Sequence, residues 1–303
     1  MTISVIVLSY DSRGDLERCL ESLEAQSRLA EQVVVVDNGS RDGSAALVAQ
    51  RFPRLELLAL DQNLGFCRAN NLALERCRGE IVALLNADVE LDADFLAQAA
   101  AAFERHPEVG LVCAKLLRAD RRTLDSAGQY WGRDRRVRER GYGEPDRGQF
   151  ERPEKVPSCC GAAALYRRAM IDAIAPAGEL FDETFFAFCE DLDVGLRAAR
   201  AGWSALYWPR AVAYHRRGGT QHGRPRYQLL GRPAEIRYHI LKNRYLLLLK
   251  HGKPGALLRD LPFIVFTELA LWGVLLLTSP GVLWRLISDP RPFRRAWAQR
   301  SDH

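Results

Sequence analysis

The sequence predicts an α/β protein, a doubly wound and mostly parallel sheet followed by a helical, membrane-leaning extension. Three observations predict it. The runs ISVIVL, VVVVD, LELLAL and EIVALLN alternate with amphipathic stretches between residues 3 and 105. Those runs are apolar throughout instead of alternating polar with apolar, as expected of strands buried on both faces. Beyond residue 225 the character changes, ending in the apolar stretch 262–284 and a run of arginines and tryptophans.

Taken in order, residues 3–8 form the first buried strand. A helix follows, because Leu16, Cys19, Leu20 and Leu23 recur at helical spacing behind Ser12 or Asp15. VVVVD (33–37) is the second strand, and NGSRDG (38–43) turns into a helix that ends before Pro53. LELLAL (55–60) is the third strand, and a helix over 66–78 is expected to stop at Gly79 as its C′ residue. EIVALLN (80–86) is the fourth strand, and the Ala-rich segment 94–105 a helix closed by His106-Pro107. VGLVCAKLL and AAALYRR read as strands on either side of a Gly/Arg/Pro-rich connection, 118–157, too long for plain loop and expected to hold hairpins or a flap. A helix over 190–201 ended by Gly202, the strands SALYWP and AVAYH, and a Gly-Gly loop at 218 and 219 complete the segment. The domain division is therefore 1–225, with halves at 1–110 and 111–225, and a helical extension at 226–303.

The net charge of +5, from 43 basic and 38 acidic residues, is too slight to indicate nucleic-acid binding. Seven cysteines form no C-x-x-C pair, and the start lacks a basic-then-apolar signal, so reduced thiols and a cytoplasmic location are expected. The stretch 262–284 is marginal as a spanning helix because Glu268 and Pro280 interrupt it. The arginines and tryptophans after it suit a helix lying on an anionic membrane surface; a buried helix or oligomer contact is the other reading.

Chemistry-bearing residues collect where α/β enzymes bind ligands. Asp11 and Asp37 follow neighbouring strands, and Asn86 and Asp88 follow the fourth. A lone Asp-Asn-Gly or Asn-x-Asp is more often an ordinary turn. No G-x-G-x-x-G follows the first strand and no phosphate-loop motif occurs, which removes the main support for dinucleotide or P-loop binding. Glu190, Asp191 and Asp193 open a helix, where acids are also good helix electrostatics.

The order of these pieces carries more than any one of them. SVIVLSYDS, VVVVDNGSRDGS, NLGFCRANNLAL, LLNADVEL, CCGAAALYRR, FDETFFAFCEDLDVGLRAARAGW and AYHRRGGT run from residue 3 to about 220. In that order they resemble the family 2 inverting glycosyltransferases of GT-A fold, in particular their rhamnosyltransferase-like branch. The resemblance implies a nucleotide-sugar donor, L-rhamnose on dTDP being one candidate, and an acceptor that is a lipid-linked or cell-envelope glycan. It implies that Tyr10, Asp11 and Asp37 cradle base and ribose, with Asn63, Gly65 and Asn70 closing over the nucleotide. Asp88, with His215 after the last strand, would hold Mg²⁺ or Mn²⁺ against the diphosphate, Asn86 adding a neutral hydrogen bond. A hard divalent ion often takes only one or two carboxylates beside phosphate and water. Asp191 matches the base that takes the acceptor proton. Glu190, Gly161 and Trp131 fall where donor sugar or acceptor would lie. Adjacent helical residues point about 100° apart, so one of Glu190 and Asp191 should face the acceptor.

Two other classes compete. A sugar-phosphate nucleotidyltransferase would carry a Gly-rich basic loop where SYDSRGDLERC stands. A non-catalytic carbohydrate-binding relative would be expected to lack Asp88 or Asp191, and both are present.

Overall fold

The computed structural model describes residues 1–217 and 231–300; the expected Gly-Gly loop at 218 and 219 lies outside them. The chain divides into two compact units. The first comprises residues 1–130, 139–183 and 190–223, and the second 131–138, 184–189 and 224–303.

The first unit is built on the sheet. β1 (Ile3–Ser9), β2 (Gln32–Asp37), β3 (Glu56–Ala59) and β4 (Ile81–Asn86) pair in parallel in the order β3-β2-β1-β4. The helices α1 (Arg13–Glu24), α2 (Ser44–Arg51), α3 (Gly65–Leu74) and α4 (Phe95–Arg105) follow the expected rhythm. Leu16, Cys19, Leu20 and Leu23 are all buried, as their spacing required. β6 (Val109–Arg118) and β12 (Ser204–His215) continue the parallel set, with β11 (Ala163–Arg167) inserted antiparallel between β4 and β6. The sheet is thus mostly parallel, as expected, with one central strand reversed.

Four details depart from the sequence reading. α3 ends at Leu74, and Gly79 does not cap it. Instead the Gly79 N–H donates to Ser4 Oγ at 2.8 Å, and a Cβ there would come within 2.5 Å of the Ser4 backbone, so Gly79 serves a close strand approach. The two strands expected at 204–215 are one, continuous across Pro209 through a register shift between Trp208 and Val212. A short helix, α5 (Arg168–Ile174), follows β11 where none was expected. Finally, β6 and the segment before β11 run side by side and bring Cys113 and Cys159 together as a disulfide, Cα–Cα 4.8 Å, so the seven cysteines are not all reduced.

The long connection does contain strands. β7 (Leu124–Ser126) pairs with β6, β8 (Gln129–Trp131) with β9 (Val137–Glu139), and β10 (Glu154–Val156) with β12. A further three-residue strand, β5 (Val89–Leu91), lies antiparallel to the end of β12. The helix α6 (Glu190–Arg200) is closed by Gly202 in the left-handed conformation, φ 85°, with Trp203 N–H on the Ala198 carbonyl at 2.9 Å.

The second unit is helical: α7 (Ala234–His251), α8 (Pro254–Thr278), α9 (Pro280–Ser288) and α10 (Arg291–Ala298). Tyr238, Leu241, Leu275, Val282, Leu283 and Leu286 form its core. α8 alone is long and apolar enough, among the described residues, to cross a membrane by length and composition, and little of it is buried within the chain. Its two acids are covered: Asp260 by Arg133 and Arg135, at 3.2 and 2.7 Å, and Glu268 by Arg244 at 2.7 Å and by the Tyr245 hydroxyl.

Candidate active site

Parallel strands that end together place their following loops on one edge. The register sets Ser9 beside Asp37 and Leu8 beside Asn86, so the loops after β1, β2 and β4 are neighbours. Asp11 sits at φ 45° and accepts from the Arg41 N–H at 2.8 Å, while its own N–H reaches Ser40 Oγ at 3.0 Å. That exchange ties the first two loops together. Tyr10 is half exposed at their mouth, and Asp37 is buried with Oδ1 lacking a partner among the described residues.

Asn38, which the sequence reading passed over, closes the next junction. Its amide donates to Asn63 Oδ1 at 3.1 Å and to the Gly65 carbonyl at 3.3 Å, and its Oδ1 receives the Leu64 N–H at 2.9 Å. Gly39, at φ 79°, lets the loop pass: a Cβ there would meet the Gln62 backbone at 2.6 Å. Asn63 in turn receives the Gly65 N–H at 2.8 Å. Asn70 is fully buried, donating to the Phe66 carbonyl of its own helix at 2.9 Å; its Oδ1 has no partner among the described residues.

β5 carries the turn after β4 onto the end of β12, opposing Val89 to His215. That pairing brings His215 Nε2 to 3.3 Å from Asp88 Oδ1. The other ring nitrogen, Nδ1, lies 2.8 Å from Asp125 Oδ2, and Asp125 is itself held by Arg217 at 2.6 and 3.0 Å. Burial alone would lower the imidazole pKa, but the hydrogen bonds and charges of Asp125 and Asp88 raise it to about 9. Among the described residues no three His, Cys, Asp or Glu side chains converge as a ready-made metal cage. The donor set fits a divalent ion that takes most of its shell from phosphate and water, provided the ion displaces the Nε2 proton that otherwise faces Asp88. Asp88 supplies a carboxylate beside Nε2, and Asp125 on Nδ1 is the kind of outer partner that orients a ligating histidine.

The second cluster forms at the start of α6. Asp191 Oδ2 accepts from the Gly161 N–H at 3.1 Å and from Gln129 Nε2 at 2.6 Å, and Oδ1 accepts from the Leu192 N–H at 2.8 Å. Ser158 Oγ donates to the Asp191 carbonyl at 2.5 Å. Glu190 is equally buried, and its Oε2 has no partner among the described residues. Burial raises both carboxyl groups, Glu190 further through the charge of Asp191; the three donors on Asp191 oppose its rise. Asp191 has more donors to stabilise an anion than Glu190, whose carboxyl meets its own backbone N–H, so ionisation is easier at Asp191. The Asn86 N–H on the Ala162 carbonyl, 2.9 Å, binds the turn after β4 to the segment holding Asp191.

One stretch joins both clusters. In DSAGQ (125–129) Asp125 backs His215, Ser126 Oγ donates to Glu139 at 2.5 Å, and Gln129 holds Asp191. The sequence reading placed this stretch in the connection 118–157, expected to hold hairpins or a flap, and gave its residues no role. The available signal was small and polar residues packed between apolar ones, which side-chain type alone does not separate from a turn.

Within the second unit, Trp131 lies under Arg135, whose guanidinium is 5.1 Å from the ring centroid. The loop 184–189 holds Phe186, Phe188 and Cys189 in the left-handed region, at φ 64°, 75° and 69°. Asn243 of α7 donates to the carbonyls of Phe185, Ala187 and Phe188 at 3.0, 2.7 and 2.7 Å, and His239 stacks on Phe186 at 4.6 Å. That loop leads directly into Glu190.

The family model described as glycosyl transferase family 2 matches residues 4–175. An N-acetylglucosaminyl-diphospho-decaprenol L-rhamnosyltransferase of Mycobacterium tuberculosis is 28% identical over 240 residues, covering 70% of this chain and 75% of that protein. An N-acetylglucosaminyltransferase of Rhizobium meliloti is 29% identical over 219 residues, 69% of this chain and 50% of its own length. The mannosyltransferase PcManGT of Pyrobaculum calidifontis, solved with GDP-Man and Mn²⁺, superposes with a TM-score of 0.57 at 21% identity, covering 98% of this chain and 83% of that one. TarS 1–349 of S. aureus, solved with UDP-GlcNAc, gives 0.57 at 21% identity, covering 87% of this chain and 70% of that one. The chain belongs to glycosyl transferase family 2, and is a glycosyltransferase of GT-A fold.

Proposed function

We propose that this chain transfers a sugar from a nucleotide-sugar to a hydroxyl of a lipid-linked or cell-envelope glycan, with inversion, using a divalent ion. The observation that carries the proposal is the pair of clusters joined by DSAGQ: a carboxylate–imidazole pair at Asp88 and His215, and a buried, hydrogen-bonded carboxylate at Asp191.

In this reading Tyr10, Asp11 and Asp37 hold the base and ribose, with Asn63, Gly65 and Asn70 on the loop that Asn38 fastens over them. Asp88 and His215 would bind Mg²⁺ or Mn²⁺, which supplies charge stabilisation on the departing nucleoside diphosphate. Asn86 adds a neutral hydrogen bond without altering that charge balance. Gly161 keeps the wall beside the donor sugar free of a side chain; a Cβ there would stand 3.4 Å from Phe66 and 3.6 Å from Asp191. Asp191 takes the acceptor proton as the acceptor oxygen attacks the anomeric carbon. Glu190, protonated beside it, leaves the pair with one charge, and Trp131 offers an aromatic surface to a sugar. Residues 1–225 form the transferase domain, with 1–110 for the donor and 111–225 for the acceptor. The extension 226–303 seats the enzyme peripherally on the cytoplasmic face of an anionic membrane. L-rhamnose from dTDP-rhamnose is supported as donor by the mycobacterial relative's name.

The test is transfer from UDP-, GDP- and dTDP-sugars with Mn²⁺ or Mg²⁺ to lipid-diphosphate-linked N-acetylglucosamine. Asp191→Asn should lose about 10²–10⁴-fold in rate while remaining folded. Normal transfer by that variant would remove the base.

A further inference from the structure

We propose that Gln129 and Glu139 are positioning residues for the base: a neutral amide hung between two carboxyl groups sets both the direction and the basicity of Asp191. The inference rests on the reading of Asp191 as base, and adds two residues that no motif of the sequence indicated.

The geometry is that of a three-member chain. Gln129 Nε2 donates one hydrogen to Asp191 Oδ2 at 2.6 Å and the other to Glu139 Oε1 at 2.8 Å. Glu139 Oε2 is held by Ser126 Oγ at 2.5 Å, which anchors the far end of the chain in β7. Gln129 is buried, and its Oε1 has no partner among the described residues. An amide has two donor hydrogens on one end and acceptor lone pairs on the other. Turned about, its oxygen would face two carboxylates and neither would gain a donor, so charge fixes the orientation in which nitrogen faces both.

Direction follows from which oxygen is pinned. Oδ2 of Asp191 accepts from Gln129 and from the Gly161 N–H, and Oδ1 from the Leu192 N–H, with Asp191's own N–H also on the carboxyl. Each carboxylate oxygen accepts about two hydrogen bonds. Oδ2 is therefore filled from two sides, which fixes the plane in which the carboxyl stands.

Basicity follows from the amide. The Gln129 N–H stabilises the ionised form of Asp191 and so lowers its pKa, against burial. Burial, and then the charge of Asp191, push Glu139 up to about 7, against the hydrogen bonds from Ser126 and Gln129. Asp191 thus ionises before Glu139, which is neutral while the base titrates and acts by holding the amide in place. The other charged or titratable groups bearing on the chain are Glu190 and Asp193 of α6, Cys160 and Tyr166 in and before β11, and Arg217 after β12. Both substitutions below leave all of them in place.

The two partners leave different marks, which gives a signature that damage to the fold would not produce. The full chain, labelled with ¹³C in its Asp and Glu carboxyls, is titrated by NMR in the wild type, Gln129→Met and Glu139→Gln. The Asp191 resonance is the one missing from Asp191→Asn. In Gln129→Met it should titrate about 1 pH unit higher, whereas the isosteric Glu139→Gln should lose the separate step near 7 and leave Asp191 within about half a unit. The acidic limb of transfer from the active donor of the panel should rise in the first variant and stay in the second, with donor KM within about 2-fold of wild type. An Asp191 resonance unmoved in Gln129→Met, or moved equally in both variants, overturns the positioning role. The two readings fail separately. Normal transfer by Asp191→Asn sinks the base itself, whereas an inactive Asp191→Asn with unmoved titrations sinks only Gln129 and Glu139.

Discussion

Glu190 and Asp191 are adjacent, equally buried, and chemically unequal. The difference lies in what surrounds each: three donors converge on one carboxylate and one oxygen of the other has none. No reading of the letters ED could assign that, although the sequence did identify the pair, and the angular argument that only one should face the acceptor stands on helix geometry. Asn38 and Gln129 were illegible for a related reason. An amide's role depends on which neighbours the fold brings to it, and both fasten segments distant in sequence. Asp88 gives the residue-scale prediction. Nucleoside diphosphate with Mn²⁺ should raise the melting temperature of the wild type by mass action. Asp88→Ala should abolish that rise in a thermal-shift measurement, with the unliganded melting temperature little changed.

At the scale of elements, legibility tracks length and periodicity. The four first strands and α1, α2 and α4 were readable because apolar runs and helical spacing extend over enough residues to be distinctive. The three-residue strands β5, β7, β8, β9 and β10 carry no period at all. α7 falls within the expected helical extension, but its bounds were not legible because its buried face includes His239, Lys242, Asn243 and Arg244, polar residues that meet backbone carbonyls, acids or neighbouring rings. Its importance can be measured. Asn243→Ala removes the shared donor of three carbonyls in a loop with three strained residues, at a cost of about 1–3 kcal/mol for the buried acceptors left behind. The expected result is a lower melting temperature and faster proteolysis within 184–189.

His239 supplies a pH test of the same element. Burial and then Lys242 hold its pKa down to about 4, against the attraction of Glu235. The unfolded chain binds that proton near 6.5, so it holds more protons than the folded chain between 6.5 and 4. Stability is complete above 6.5 and is lost as the pH falls toward 4. His239→Gln should flatten that part of the denaturation profile; an unchanged slope would contradict the assignment.

For the whole molecule, the question is what the second unit does with its surface. On α8, Leu258, Leu261, Phe263, Phe266, Leu269, Leu276 and Leu277 are exposed while both acids are covered by arginine within the unit. Arg294 and Arg295 add positive charge beside the exposed Trp284 and Trp297, while Arg285 and Arg291 are paired with Glu235 and Asp289. The combination suits a helix lying in the interface, and the length and apolar composition of α8 also meet those of a spanning helix. Phe266→Ser with Leu269→Ser should lower co-sedimentation with phosphatidylglycerol vesicles by at least about 10-fold. Uncharged vesicles should bind the wild type more weakly, and added salt should weaken the anionic ones.

The clamp of Asn243 on residues 184–189 also has a consequence in time. A ribosome delivers the loop more than fifty residues before it delivers its anchor, Asn243 being separated from Phe185 by 58 positions. A nascent or prematurely terminated chain can complete the sheet and still lack the constraint on the segment entering Glu190. The three carbonyls of the loop thus meet their shared donor only once α7 has been made.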